Sequence, residues 1–172
     1  MAVLKIRFEG DPILRQKAIK VPKVDASVQK LADDMWETML DADGVGLAAP
    51  QIGLARRLIV VRVPPGYDGD DDPEYTFRLA NPEIVKSFGE QSGIEGCLSI
   101  PGWIGEVPRA ESVTVKAQDM TGRQIRIKAS GRLAVVLQHE IDHLDGILYT
   151  DRMTDMSTLR KVSDEEFEEV AE

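Results

Sequence analysis

The chain has only two histidines, and they stand four residues apart in the run His139-Glu140-Ile141-Asp142-His143. On a helix, residues i and i+4 share a face with Cβ atoms roughly 6 Å apart, so both imidazoles reach one ion. Glu140 falls about 100° further round, beside the pair rather than within it. That position suits a general acid/base acting on a water better than it suits a ligand. The chemistry implied is metal-assisted hydrolysis. Catalytic zinc sites use three protein ligands and leave one position open. The single cysteine, Cys97 in Glu95-Gly96-Cys97-Leu98-Ser99, would complete a His₂Cys set. Its bland alternative is a packed small hydrophobe, the commoner fate of a lone cysteine. Asp142 and Asp145 are rival third ligands, although the helical angle of Asp142 points it away from the histidines.

A third constellation is Gly44-Val45-Gly46-Leu47-Ala48-Ala49-Pro50-Gln51. It lacks the Lys and Ser/Thr of a phosphate loop, and its small residues permit close backbone approach. Gln51 is its one side chain able to donate to a developing oxyanion; the alternative is a tight turn carrying a surface Gln.

Helical spacing in two segments positions these residues. Apolar residues at Val28, Leu31, Ala32, Met35, Trp36, Met39 and Leu40 predict an amphipathic helix over 26–40, with Asp25 as its cap and Gly44 as its stop. A second helix is expected from about Arg132 to Leu144, capped by Ser130. Its core stripe is Leu133, Leu137, Ile141 and Leu144, and the histidines sit on another side beside Val135 and Val136. Between the helices, 57–63 and 77–88 read as extended, the latter interrupted at Pro82. Residues 112–117 and 124–129 read as a hairpin. The Gly- and Pro-rich 93–108 segment is expected to be an irregular ordered loop, and 64–74, with the acidic run Asp68 to Asp72, a solvated excursion. The class is α+β, with short, mostly antiparallel strands around a central metal-binding helix and an amphipathic helix near the N-terminus.

A chain of 172 residues fits one domain, read as 1–163 with a short acidic tail over 164–172. The net charge of −9 speaks against direct nucleic-acid binding. No apolar stretch is long enough to cross a bilayer, and Met1 to Phe8 lacks the build of a secretory signal. A cytoplasmic protein with no membrane contact is expected. One cysteine cannot form an internal disulfide.

Together, G-V-G-L-A-A-P-Q, E-G-C-L-S and Q-H-E-I-D-H resemble the three signature motifs of the peptide deformylase family, in the family's order and over nearly the whole chain. The resemblance implies removal of the N-formyl group from formyl-methionine on nascent proteins, with release of formate. It implies that Cys97, His139 and His143 bind one divalent metal, that Glu140 is the acid/base, and that Gln51 and the Leu98 amide meet the oxyanion. The family commonly uses Fe²⁺, with Zn²⁺, Ni²⁺ or Co²⁺ able to occupy the same site. Val45, Gly46, Gly96, Val135 and Val136 are the candidates for holding the substrate. Formyl-methionyl nascent peptides are the implied partners, and the ribosome near its exit tunnel is a further one, although the acidic C-terminus offers no basic docking helix. Where many bacterial members carry charged or polar residues after the cysteine motif, this chain has Gly102-Trp103-Ile104-Gly105, with Trp103 either an apolar rim beside the substrate or a packing residue. Two other readings stand beside this one. A zincin-like endopeptidase shares H-E-x-x-H but not the Cys ligand. A structural metal domain needs neither Glu140 nor Gln51.

Overall fold

A computed structural model describes residues 2–170. After a short 3₁₀ turn at Pro12–Arg15, helix α1 (Ala26–Asp41) starts where Asp25 accepts a hydrogen bond from the Val28 amide at 3.1 Å. It buries Val28, Ala32, Met35 and Met39, as its spacing requires. The helix ends differently from the sequence expectation. The left-handed residue is Asp43 (φ 55°), which Asp tolerates, and Gly44 follows it with its amide bonded to the Met39 carbonyl at 2.9 Å.

Strands β1 (Gly46–Ala48), β2 (Leu58–Val63), β3 (Tyr75–Phe88), β6 (Ser112–Gln118) and β7 (Gln124–Ser130) form one antiparallel sheet in the order β1-β2-β3-β6-β7. Strands β4 (Gln91–Cys97), β5 (Ile100–Arg109) and β8 (Arg160–Lys161) form a second. The expected break at Pro82 is a register shift between Ala80 and Glu83 rather than an end, with Asn81 at φ 52°. The hairpin over 112–130 forms as its alternation predicts, Val113, Val115 and Ala117 turning inward opposite Ala129 and Ile127.

The segment 93–108 is not an irregular loop. It lies within the β4–β5 hairpin, where Gly105 is required by a neighbour and Gly102, at φ 84°, by its backbone conformation. A Cβ on Gly105 would lie 2.5 Å from the Met153 Cε. Among the described residues β8 pairs only with Trp103 and Ile104 of β5, so Pro101 and Pro108 lie outside that pairing.

Helix α2 (Gly131–Leu144) lies between the two sheets. Leu133, Leu137, Ile141 and Leu144 enter the main core with Ile59, Val61, Val113 and Val115 of the larger sheet. The smaller sheet meets its other side through Glu95 and Arg109. Its N-cap is Ser130, but the Ser130 side chain makes no capping bond; the Asp68 carboxylate instead accepts from the Arg132 amide at 2.8 Å. One acid of the excursion expected to be purely solvated therefore caps the helix that carries the histidines. A short helix α3 (Tyr149–Arg152) follows, and the acidic C-terminal segment forms helix α4 (Asp164–Val170), whose Phe167 packs against the cluster containing Leu98. Among the described residues no helix is long and apolar enough to cross a membrane.

Candidate metal centre

The last turn and a half of α2 carries His139 and His143 into the space below the β4–β5 turn, where Cys97 ends β4. The three donor atoms lie within 4.8 Å of one another, and all three side chains are buried. Cys97 Sγ is 3.4 Å from His143 Nε2. A tetrahedral ion with a thiolate and two imidazoles would hold its ligand atoms roughly 3.3–3.6 Å apart, so these residues fit a single transition-metal ion.

Protonation states favour ligation. Glu95 Oε1 is 2.8 Å from His139 Nδ1. Burial alone would raise the Glu95 pKa, but hydrogen bonds from Arg109 and His139 outweigh it and hold the carboxyl at about 2. An ionised carboxylate only accepts, so Nδ1 carries the proton and Nε2 keeps its lone pair turned towards Cys97 and His143. His143 is held neutral chiefly by burial, which with the nearby Arg109 charge takes its pKa well below the usual imidazole value. Neutral imidazoles are what a metal requires.

The scaffold behind Glu95 is a buried charge chain that local sequence reading missed. Arg109 grips both Glu95 oxygens at 2.8 Å and reaches Asp142 at 2.7 Å; Asp142 also accepts from Arg152 at 2.9 Å. Burial would lower the Arg109 pKa, yet Glu95 and Asp142 raise it overall. Asp142 is thus committed to two arginines and is not a metal ligand, and Asp145 is committed to Arg57 at 3.1 Å. Tyr149, also missed, stacks on His139 with ring centroids 6.2 Å apart, and its hydroxyl donates to the Trp103 carbonyl at 3.2 Å. The Trp103 ring is itself 39% exposed, in a groove with Ile100, Met156 and Leu159.

The glycine loop meets the triad from the opposite side. Ala48 donates to Gln51 Oε1 at 2.9 Å, which turns Gln51 Nε2 towards Cys97 Sγ (3.6 Å) and Ser99 Oγ (3.1 Å). Gln51 is fully buried there, not on the surface. Gly46 lies against Glu140: a Cβ at Gly46 would come within 2.5 Å of Glu140 Oε1 and 2.8 Å of its Cγ. A Cβ at Gly44 would meet the Leu98 side chain at 2.7 Å. Gly96 is buried opposite Ile104. Val135 and Val45 are only partly buried, whereas Val136 is sealed in the main core.

The polypeptide deformylase family model matches residues 3–159. A peptide deformylase of Thermomicrobium roseum is 61% identical over 172 residues, covering 100% of this chain and 97% of the relative. The crystal structure of the peptide deformylase from Thermus thermophilus superposes with a TM-score of 0.79 at 46% identity, covering 88% of this chain and 86% of that one. A class I type b peptide deformylase from Acinetobacter baumannii, solved with Met-Ala-Ser bound, superposes with a TM-score of 0.83 at 38% identity, covering 88% of this chain and 99% of that one.

Proposed function

The chain belongs to the peptide deformylase family, and from that premise we infer how its own residues divide the work. The reaction is hydrolysis of the N-formyl group from the N-terminal formyl-methionine of newly made proteins, with release of formate. The observation that carries the residue assignment is the buried Cys97, His139 and His143 cluster with the Glu140 carboxyl seated against Gly46 beside it.

Cys97, His139 and His143 hold the ion. When bound, such an ion polarises a carbonyl and brings the pKa of water from 15.7 to roughly 7. Fe²⁺ is our choice for the ion in the cell; the same N₂S set accepts Zn²⁺, Ni²⁺ or Co²⁺, so supply decides. Glu140 accepts a proton from the attacking water and delivers it to the departing amine nitrogen. As the formyl carbon becomes tetrahedral, charge gathers on its oxygen. Gln51 Nε2, aimed by Ala48 and Ser99, and the Leu98 amide donate to that oxygen, each worth roughly 3 kcal/mol.

The substrate lies along the open edge of β1, which among the described residues pairs only with β2 and runs beside the metal helix. An extended peptide adds to such an edge through backbone bonds, with Val45 and Gly46 on one side and Gly96 on the other. Val135 walls the first side chain and Val136 forms the floor behind it. The occupant of the Acinetobacter baumannii structure, Met-Ala-Ser, has the form of a deformylated product. Residues 1–163 are taken as the catalytic domain, with 164–172 an acidic appendage. Because such a substrate exists only on new chains, we propose that the enzyme acts in the cytoplasm, near the ribosomal exit tunnel.

The test is formate release from formyl-Met-Ala-Ser by metal-loaded protein, run beside the unformylated peptide. Formate from the first and an intact second peptide support the reading. Backbone cleavage of either peptide would mark an endopeptidase and overturn it.

A further inference from the structure

Residues 7–9 join the two parts of the chain that carry the oxyanion donors. The Arg7 amide donates to the Gln51 carbonyl at 2.6 Å, and the Glu9 amide donates to the Ser99 carbonyl at 2.8 Å. Two residues of chain span at most about 7 Å, so this short segment clasps together loops 48 residues apart. The turn at Ala49–Ile52 closes on the Ala49 and Pro50 carbonyls through the Gly53 amide, and leaves the Gln51 carbonyl to Arg7. Ser99 is the second residue of the tight turn between Cys97 and Ile100, and Leu98 is the first. Gln51 follows β1 of the larger sheet, whereas the Leu98–Ser99 turn belongs to the smaller one. Among the described residues no strand ladder joins these two sheets. The Arg7 guanidinium also lies over Gly53, where a Cβ would come within 3.0 Å of Nη2, and pairs with Asp11 at 3.2 Å.

We propose that residues 7–9 form a positioning strap, whose Arg7 and Glu9 amides hold Gln51 Nε2 and the Leu98 N–H at the separation that fits the tetrahedral oxygen. The inference rests on the deformylase reading and adds to it residues that act only through Gln51 and the Leu98–Ser99 turn. Oxyanion donors count when they are aimed at the place the charge will occupy, within about 2.7–3.1 Å. Gln51 Nε2 gives one hydrogen to Ser99 Oγ at 3.1 Å and has a second, on the Cys97 side, for the substrate oxygen. The strap fixes the main chain behind both donors, so their separation is set before substrate arrives. Its own path offers a clean way to break it. The Asp11 amide closes a turn on the Phe8 carbonyl at 3.0 Å, with Gly10 at φ 99° in third place. Turns of that kind accept proline in second place, where Glu9 stands. Proline there removes the Glu9 amide hydrogen and leaves the course of the chain alone.

The experiment measures kcat and KM for formyl-Met-Ala-Ser, with metal per chain assayed throughout. Metal-loaded wild type, Glu9→Pro, Glu9→Ala, Gln51→Ala and the double variant Glu9→Pro/Gln51→Ala are compared. Glu9→Pro should lower kcat about tenfold, part of the roughly 100-fold that a 1 Å misplacement can cost. KM and metal content should stay at their wild-type values. Glu9→Ala keeps the N–H and should recover the wild-type kcat. A strap that acts through Gln51 loses part of its effect once Gln51 is gone, so the proline should cost less in the Gln51→Ala background. A merely structural change would cost the same factor in both backgrounds. A wild-type kcat in Glu9→Pro overturns the proposal, as does an equal fall in Glu9→Ala or an undiminished proline penalty beside Gln51→Ala. If Glu9→Pro does not fold, Arg7→Pro, which removes the bond to the Gln51 carbonyl, decides by the same cycle. Wild type that releases formate while the proline variant matches it removes this inference only; wild type that releases none removes the deformylase reading and this inference with it.

Discussion

His139 Nδ1 and Glu95 Oε1 are 2.8 Å apart, both side chains 1% exposed, and Arg109 holds the other side of the same carboxylate. This pair fixes which nitrogen of His139 faces Cys97 and His143. Partners of this kind set ligand orientation, and losing one typically costs 10–100-fold in metal affinity or activity. Glu95→Gln should weaken metal retention within that range while leaving the ligand residues in place. Competition with a chelator, read as metal per chain, checks it; unchanged retention would mean the His139 orientation has another source.

The same carboxylate sets a pH window. Its folded pKa of about 2 lies below the ordinary 4.5, so the stability it contributes is complete above 4.5 and is lost as pH falls towards 2. Breaking a buried ion pair costs about 3–5 kcal/mol. The unfolding free energy of metal-free wild type should exceed that of Glu95→Gln by such an amount at neutral pH, and the gap should narrow from pH 4.5 downward. A gap constant across that range would contradict the assignment.

At Gly46 there is no room for a methyl group, because a Cβ would lie 2.5 Å from Glu140 Oε1 and under 3 Å from its Cγ and Cδ. Gly46→Ala should displace the carboxyl and lower kcat by at least tenfold, since a misplacement of 1 Å can cost about 100-fold. Metal content should stay at one per chain. Steady-state kinetics with elemental analysis separates this from simple loss of the ion.

Asp68 caps α2 from a distance of 64 residues in sequence. Asp68→Ala should lower stability by about 0.5–2 kcal/mol, with Asp70→Ala as a control near zero because that side chain is exposed. Denaturant unfolding of wild type and the two variants, with and without metal, measures it.

What the sequence made legible was local. Four-residue spacing placed His139 and His143 on one helical line, apolar spacing drew α1 and the core face of α2, and strict alternation drew the hairpin of β6 and β7. The features that escaped depend on partners far along the chain. Arg109 is a surface-type residue until Glu95 and Asp142 close round it, 14 and 33 residues away. Glu95 stands two residues before Cys97 in E-G-C-L-S, and that proximity is the one mark the sequence bears of its role. Glycine misled over 93–108, because periodicity cannot tell a glycine that makes a turn from one that admits Met153. Ser130 is the N-cap by position, as serine usually is, but the capping bond comes from Asp68, which packs where a Cβ on Gly131 would stand.

The central claim is that Glu140 moves the proton while Cys97, His139 and His143 hold the ion. Formate release from formyl-Met-Ala-Ser should be compared in wild type and Glu140→Gln, each assayed for bound metal. The account predicts one metal per chain in both, with kcat in the variant lower by about 100- to 10,000-fold, the usual range for a positioned acid/base. Equal turnover at equal metal content would contradict it.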